Sequence, residues 1–338
     1  MTTDFDWIRQ TLAHRETGRV PYNLALSPPV QRAMAERYGD DLATALALPV
    51  RMTSLKARKP LYADPAVFGP TAVDDHGVVW ATSPIDRGSP AGPCLHEPTL
   101  AGYVFPDPSR PERFAHLAAW CRRNAGQYRI IWVGDLWERA TFMRGMEPLL
   151  LDVVLHPAFV EELLEHLAWG LRQTVELLVH GYDFEAIAVS DDYGTQRGLL
   201  LSPASWRRLI RPHLATIYAI AHDHGRAVFH HTCGHVEPIV GDLVDLGLDI
   251  LHPVQPEAND LLRMKRQYGR HLTFCGGVPT QRLLVGGTPD QVRAEVRRLK
   301  RQMGEGGGYI LEPGITLQAD VPLDNVVAMM EEARAPGR

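Results

Sequence analysis

His231-Thr232-Cys233 closes an apolar run, Ala227-Val228-Phe229-His230, and passes directly into Gly234-His235. An imidazole and a thiolate form a donor pair that favours zinc over magnesium or calcium. Side chains alternate along a strand with a period of two, so His231 and Cys233 point the same way and can reach one ion. A catalytic zinc keeps three protein ligands and one open position. Asp192, Cys275 and Glu312 are the candidates for the third ligand, with His235 a near neighbour in sequence. Such an ion activates a thiol towards an electrophilic methyl group or a water for hydrolysis, so the ligands alone do not choose the reaction.

Other titratable residues also stand where apolar runs end: Asp135, Asp191-Asp192, His252, Cys275 and Glu312. Such a ring is what the C-terminal mouth of a barrel collects, because its loops converge there. Asp191 and Asp192 are adjacent, so one faces the mouth while the other caps a loop or helix. A carboxylate near other carboxylates is raised and holds a proton, whereas one beside a metal stays ionised. The expected metal ligands are His231, Cys233, Asp192 and Cys275. Asp191, Asp192, His252, Glu312 and Asp135 are the expected acid-base and positioning groups, with His252 or Asp135 behind the ligands.

Eight short apolar segments must position these residues: Val20-Leu26, Arg51-Ala57, Tyr128-Asp135, Phe184-Val189, Ala227-Cys233, Leu248-Val254, His271-Gly277 and Gly308-Gly314. Between them, Phe159, Leu163, Leu164, Leu167, Leu171, Val175 and Leu178 mark one buried helix face over Pro157-Val179. Ser202-Pro203 and Thr288-Pro289 read as caps with proline in the first turn, opening helices to Ala221 and to about Met303; Pro238-Leu246 is a shorter helix. Strand, helix and strand with short connections imply parallel pairing and right-handed crossovers. The expectation is a single (β/α)8 TIM barrel over residues 1–338, since no GxGxxG follows the first strand to recommend an open doubly wound sheet. Tyr62-Pro108, rich in Pro, Gly and Asp, is an irregular segment expected either to contain a small hairpin around Asp75-Trp80 or to act as a cover, packed over or beside the mouth.

Among 338 residues, 35 are Lys or Arg and 40 are Asp or Glu, which leaves no basic footprint for nucleic acid. Four cysteines without a CxxC pair, a charged amino terminus and no long apolar run point to a soluble cytoplasmic protein, with neither membrane nor nucleic acid as a partner.

HTCGHVEPIVGDLVDLGLDILHPVQPEAND, LTFCGGVPTQRLLVGGTPDQVRAEVRRL, GGGYILEPG and DVPLDNVVAMMEEA, together with SDDYGTQRGLLLSPASWRRLIRPHL, resemble the uroporphyrinogen decarboxylase superfamily over residues 128–333. The resemblance implies a (β/α)8 barrel. True decarboxylases of that superfamily carry an arginine-rich RQAGRY-type segment, whereas Arg15, Arg19 and Arg32 are isolated here. The zinc-binding, corrinoid-dependent methyltransferases keep a His-x-Cys that matches His231 and Cys233, and often a later cysteine in a segment like APGC. Ile315 stands at that later position in Glu312-Pro313-Gly314-Ile315, so another group must complete the ligand set, Asp192 first.

The function implied is zinc-assisted methyl transfer between a small methylated substrate and a corrinoid, which a separate protein can carry, or from corrinoid to a thiol. A metal-independent decarboxylase of a small aromatic or pyrrolic acid is the alternative, and a non-catalytic corrinoid-binding or ligand-binding protein is the third reading. A homodimer is compatible with each. Trp80, Trp132, Trp137, Phe142 and Tyr193 are expected to give an apolar pocket, with Trp132 inclined to the core, and Arg139 and Arg144 could anchor one carboxylate.

Overall fold

The computed structural model describes residues 3–337. Ten strands follow in chain order: β1 (Val50–Ser54), β2 (Thr71–Val73), β3 (Val79–Ala81), β4 (Ser89–Gly92), β5 (Tyr128–Gly134), β6 (Ala186–Ser190), β7 (Ala227–His231), β8 (Ile250–Val254), β9 (Thr273–Val278) and β10 (Tyr309–Pro313). Seven of them form one parallel sheet in the order β1-β5-β6-β7-β8-β9-β10. Alternate residues of all seven, Val50, Ile130, Ala188, Phe229, Ile250, Cys275 and Ile310 among them, pack into a single inner cluster. Residues of the opposite parity, such as Ile131, Val189, Val228, Leu251, Phe274 and Leu311, pack outward in the larger core with the helices. One sheet whose inner faces all meet is a barrel, and the (β/α)8 fold is the outcome.

The eighth stave differs from the expectation. Val20-Leu26 forms no ladder strand; it touches β10 through a bridge at Tyr22–Leu311 and the segment after β10 through a bridge at Leu26–Leu317. Pro21 lacks an N–H, so it can only accept, from Leu311. Towards β1 the seam is closed by side chains: the Tyr22 hydroxyl donates to the Leu46 and Ala47 carbonyls just ahead of that strand.

The helix over Pro157–Gly181 and the capping box of Thr288 and Gln291 on the helix Pro289–Gln302 agree with the sequence pattern. The expected run from Ser202 to Ala221 is instead two helices, Pro203–Leu209 and Arg211–Asp223, parted at Ile210. Pro212 cannot donate within a continuous helix, and it sits in the first turn of the second one.

The covering segment contains the antiparallel sheet β2-β3-β4, and the expected hairpin is its β2–β3 turn. Asp74 organises it. Its Oδ1 accepts from the His76 and Val78 amides, and its Oδ2 accepts from Trp80 Nε1 and Arg139 Nη1. Because Arg139 lies on the helix Trp137–Arg144 just after β5, these bonds fasten the cover to the C-terminal side of the barrel.

Candidate active site at the barrel mouth

Inward parity turns one chemistry-bearing residue of each of four strands towards the mouth: His231 from β7, His252 from β8, Cys275 from β9 and Glu312 from β10. Asp192 and Cys233 each lie two residues past their strands, β6 and β7. Their two loops cross where only glycine fits: a Cβ on Gly194 would stand 2.8 Å from the Cys233 carbonyl oxygen, and one on Gly234 would stand 2.4 Å from Gly194. Gly234 also has a φ of 79°. This crossing presses Asp192 against Cys233, whose amide donates to Asp192 Oδ1 at 2.9 Å.

Two triads result. In the outer one His231 Nε2 lies 3.4 Å from Cys233 Sγ and 3.4 Å from Asp192 Oδ1, all three side chains being partly exposed. In the inner one Cys275 Sγ donates to Glu312 Oε2 at 3.0 Å, and His252 Nε2 lies 3.5 Å from the same oxygen. Asn23 Nδ2 donates to the other oxygen of Glu312. The triads touch through His231 Nδ1 and His252 Nδ1, 3.0 Å apart. Cys275, expected beside His231 and Cys233, therefore belongs to the second group, and Asp192 joins the first.

Charge separates the two. Burial alone would raise Asp192, but the hydrogen bond and charge of His231 and the Cys233 amide hold it below the usual carboxylate range. His231 is raised despite burial, because Cys233 and Asp192 face it. Burial pushes the Cys233 thiol up, with His231 opposing. In the inner triad burial lowers His252 against the pull of Glu312, and burial raises Cys275.

Asp191 has a different place from the one expected of a mouth residue. It is fully buried, and its Oδ1 accepts the Leu136 and Glu138 amides at 3.0 and 2.8 Å while Oδ2 accepts the Tyr193 hydroxyl. Outward parity sends it to the start of the helix Trp137–Arg144 as a cap, and inward parity leaves Asp192 at the mouth. Asp135 is held by Arg139 in a two-bond pair, so it stands beside the mouth within the anchoring network of the cover. Arg139 and Arg144 are not free to anchor a carboxylate. Arg139 is spent on Asp135 and Asp74, and Arg144 on Asp152 and the carbonyls of Leu95 and His96.

The aromatic pocket is also redistributed. Trp137 and Tyr193 are core, and Trp80 of the cover packs edge-on against Phe142 of the helix Trp137–Arg144 at 4.9 Å between ring centroids. Trp132 lies inside the barrel with its ring centroid 6.0 Å from that of His231. Two groups were not foreseen: Glu138, buried, and Arg87, which reaches from the cover to donate to its Oε1 at 2.9 Å. Burial, and then the charge of Asp192, raise Glu138 to about 7 against the opposing pull of Arg87. Neither residue carries a motif; the two are 51 apart in sequence and meet only because the cover folds onto the helix Trp137–Arg144 after β5.

The solved structure of a methyltransferase from Methanosarcina mazei aligns with 98% of this chain and 98% of its own at a TM-score of 0.73 and 18% identity, which shows a shared fold. An endo-β-1,4-xylanase from Gloeophyllum trabeum aligns with 71% of this chain and 83% of its own, at a TM-score of 0.41 and 14% identity. No curated protein matches the sequence. Uroporphyrinogen decarboxylase (URO-D) is the family that matches, over residues 132–336. That span is more than half of the chain, and it takes in β6 to β10 with both triads: the chain belongs to the uroporphyrinogen decarboxylase family.

Proposed function

We propose that this chain is a metal-assisted methyltransferase that moves a methyl group between a small methylated substrate and a corrinoid carried on a partner protein, or from that corrinoid to a thiol. The observation that carries the reading is the outer triad: imidazole, thiol and carboxylate atoms within 4.8 Å of one another at a solvent-facing mouth. Three protein donors with an open side are the pattern of a catalytic zinc site, and a thiolate and a carboxylate balance a divalent charge. When bound there, the ion would supply a Lewis acid that lowers the pKa of a ligated thiol or polarises a methylated heteroatom.

The chain's own residues do the rest. Asp192 is held ionised and aimed by the Cys233 amide. Trp132 packs against the His231 ring, and His252 meets its Nδ1, which together fix the ring's orientation. Glu138 is poised near neutral pH beside Asp192, where it can hold or give the proton that a leaving oxygen or sulfur requires. The corrinoid is assigned to a partner because the barrel below the mouth is filled by Ile130, Ala188, Phe229, Ile250 and Ile310. A decarboxylase acting on a polycarboxylate would need several free arginines, and Arg139 and Arg144 are already paired.

The test is methyl transfer from a methylated corrinoid to a thiol, assayed before and after chelation and zinc return. Chelation should abolish turnover and zinc restore it, and Cys233→Ala and His231→Ala should each lower the rate at least about 100-fold. Full activity of the metal-stripped protein would overturn the reading.

A further inference from the structure

We infer that the inner triad is a second metal site, formed by His252 Nε2, Cys275 Sγ and Glu312 Oε2, which takes a thiophilic divalent cation as an alternative to the outer position. The three donor atoms lie within 4.8 Å of one another and all three residues are buried. Imidazole, thiolate and carboxylate together form a neutral set around a divalent ion, which a dry interior tolerates.

An independent observation points the same way. Glu312 is 2% exposed, yet among the described residues it pairs with no lysine or arginine, and His252 is its sole ion-pair partner. A buried carboxylate without a permanent cation is costly, and a metal would supply the missing charge. Asn23 already holds the other oxygen of Glu312, leaving Oε2 turned to Cys275 and His252, in the manner of a ligand oriented from behind. The thiol now donates its proton to Oε2, so ligation releases that proton to solvent and leaves the thiolate on the metal. His252 keeps 11% of its side chain exposed, which makes the mouth the way in.

The contact between the two histidines makes the sites exclusive. A neutral imidazole that ligates through Nε2 carries its proton on Nδ1, and here two Nδ1 atoms face each other at 3.0 Å. One hydrogen bond accommodates one proton. An ion on His231 therefore leaves His252 with its proton on Nε2, facing Glu312, and an ion on His252 leaves His231 with its proton on Nε2, facing Asp192. The chain holds one ion at a time.

Cobalt(II) titration of the full chain, followed by absorbance and elemental analysis, tests this apart from methyl transfer. Wild type should bind one equivalent. Cys233→Ala, a change at the partly exposed rim, should still bind one equivalent with a thiolate-to-cobalt charge-transfer band, now from Cys275. That band should vanish in C233A/C275S, which also excludes Cys94 and Cys121 as its source. Should the double variant not fold, C233A/E312Q, checked by circular dichroism, should bind cobalt roughly 10- to 100-fold more weakly than C233A. A Cys233→Ala protein without a thiolate band, or unchanged affinity in C233A/E312Q, would overturn the inner site. Two equivalents in wild type would overturn the exclusivity. None of these outcomes depends on whether the loaded enzyme transfers methyl groups.

Discussion

At the scale of single residues, the chemistry of the mouth depends on which of two neighbours faces inward. Alternation along β6 requires Asp191 and Asp192 to diverge, and the sequence carries that much; which one looks inward is set by the register of β6 against β7, where Ser190 pairs with His231. The His-x-Cys pair was legible because both ligands lie within one short run. Glu138 was not, since its environment is made by Asp192 and by Arg87 from distant segments. Its elevated pKa has a testable consequence. A carboxyl raised from 4.5 to about 7 by burial and Asp192 is most at home protonated, so its contribution to stability is full below pH 4.5 and is lost as pH rises through 7. Glu138→Gln removes that loss. The melting temperature of the variant relative to wild type should climb between pH 5 and pH 8, even if the missing pair with Arg87 lowers both ends; a constant difference would show that Glu138 titrates normally.

At the scale of elements, strands β5 to β10 fall within two residues of their apolar runs because each is buried on both faces and bounded by turn residues. The helix break at Ile210 was readable from Pro212, whereas the failed ladder at Val20-Leu26 depends on a seam that local sequence does not encode. Asp191 connects these elements. It carries the start of the helix Trp137–Arg144 on the end of β6, through two backbone amides that have no other partner of their own helix. Asp191→Ala should therefore cost roughly 2–4 kcal/mol in denaturant unfolding, the cost of stranding buried donors. Asp191→Asn should cost far less, because its amide oxygen can still accept both N–H groups, and burial already favours a neutral side chain there. Equal loss in the two variants, or loss of metal without loss of stability, would contradict the capping role.

At the scale of the whole molecule, the chain is a barrel with a cover. No helix among the described residues is long and apolar enough to cross a membrane. The cover's composition announced an irregular segment, but its attachment was hidden in Asp74, an unremarkable aspartate by sequence that turns out to satisfy four donors. Lys59 adds to this hub from behind, its ammonium 4.6 Å from the Trp80 ring centroid and bonded to the Arg87 carbonyl. The same hub thus sets where Arg87 leaves the cover to meet Glu138, and it links cover position to the charge at the mouth. Asp74→Ala strands the Trp80 indole and leaves the half-buried Arg139 with Asp135 alone. The barrel's core does not pass through these bonds, so the damage should be local. Hydrogen exchange should accelerate at least about tenfold across residues 71–92, a local opening made easier by about 1.4 kcal/mol or more, while amides of the helix Pro289–Gln302 keep their protection. If the two regions accelerate together, the cover is part of the barrel's cooperative unit; if neither does, Asp74 is not what holds it over the site.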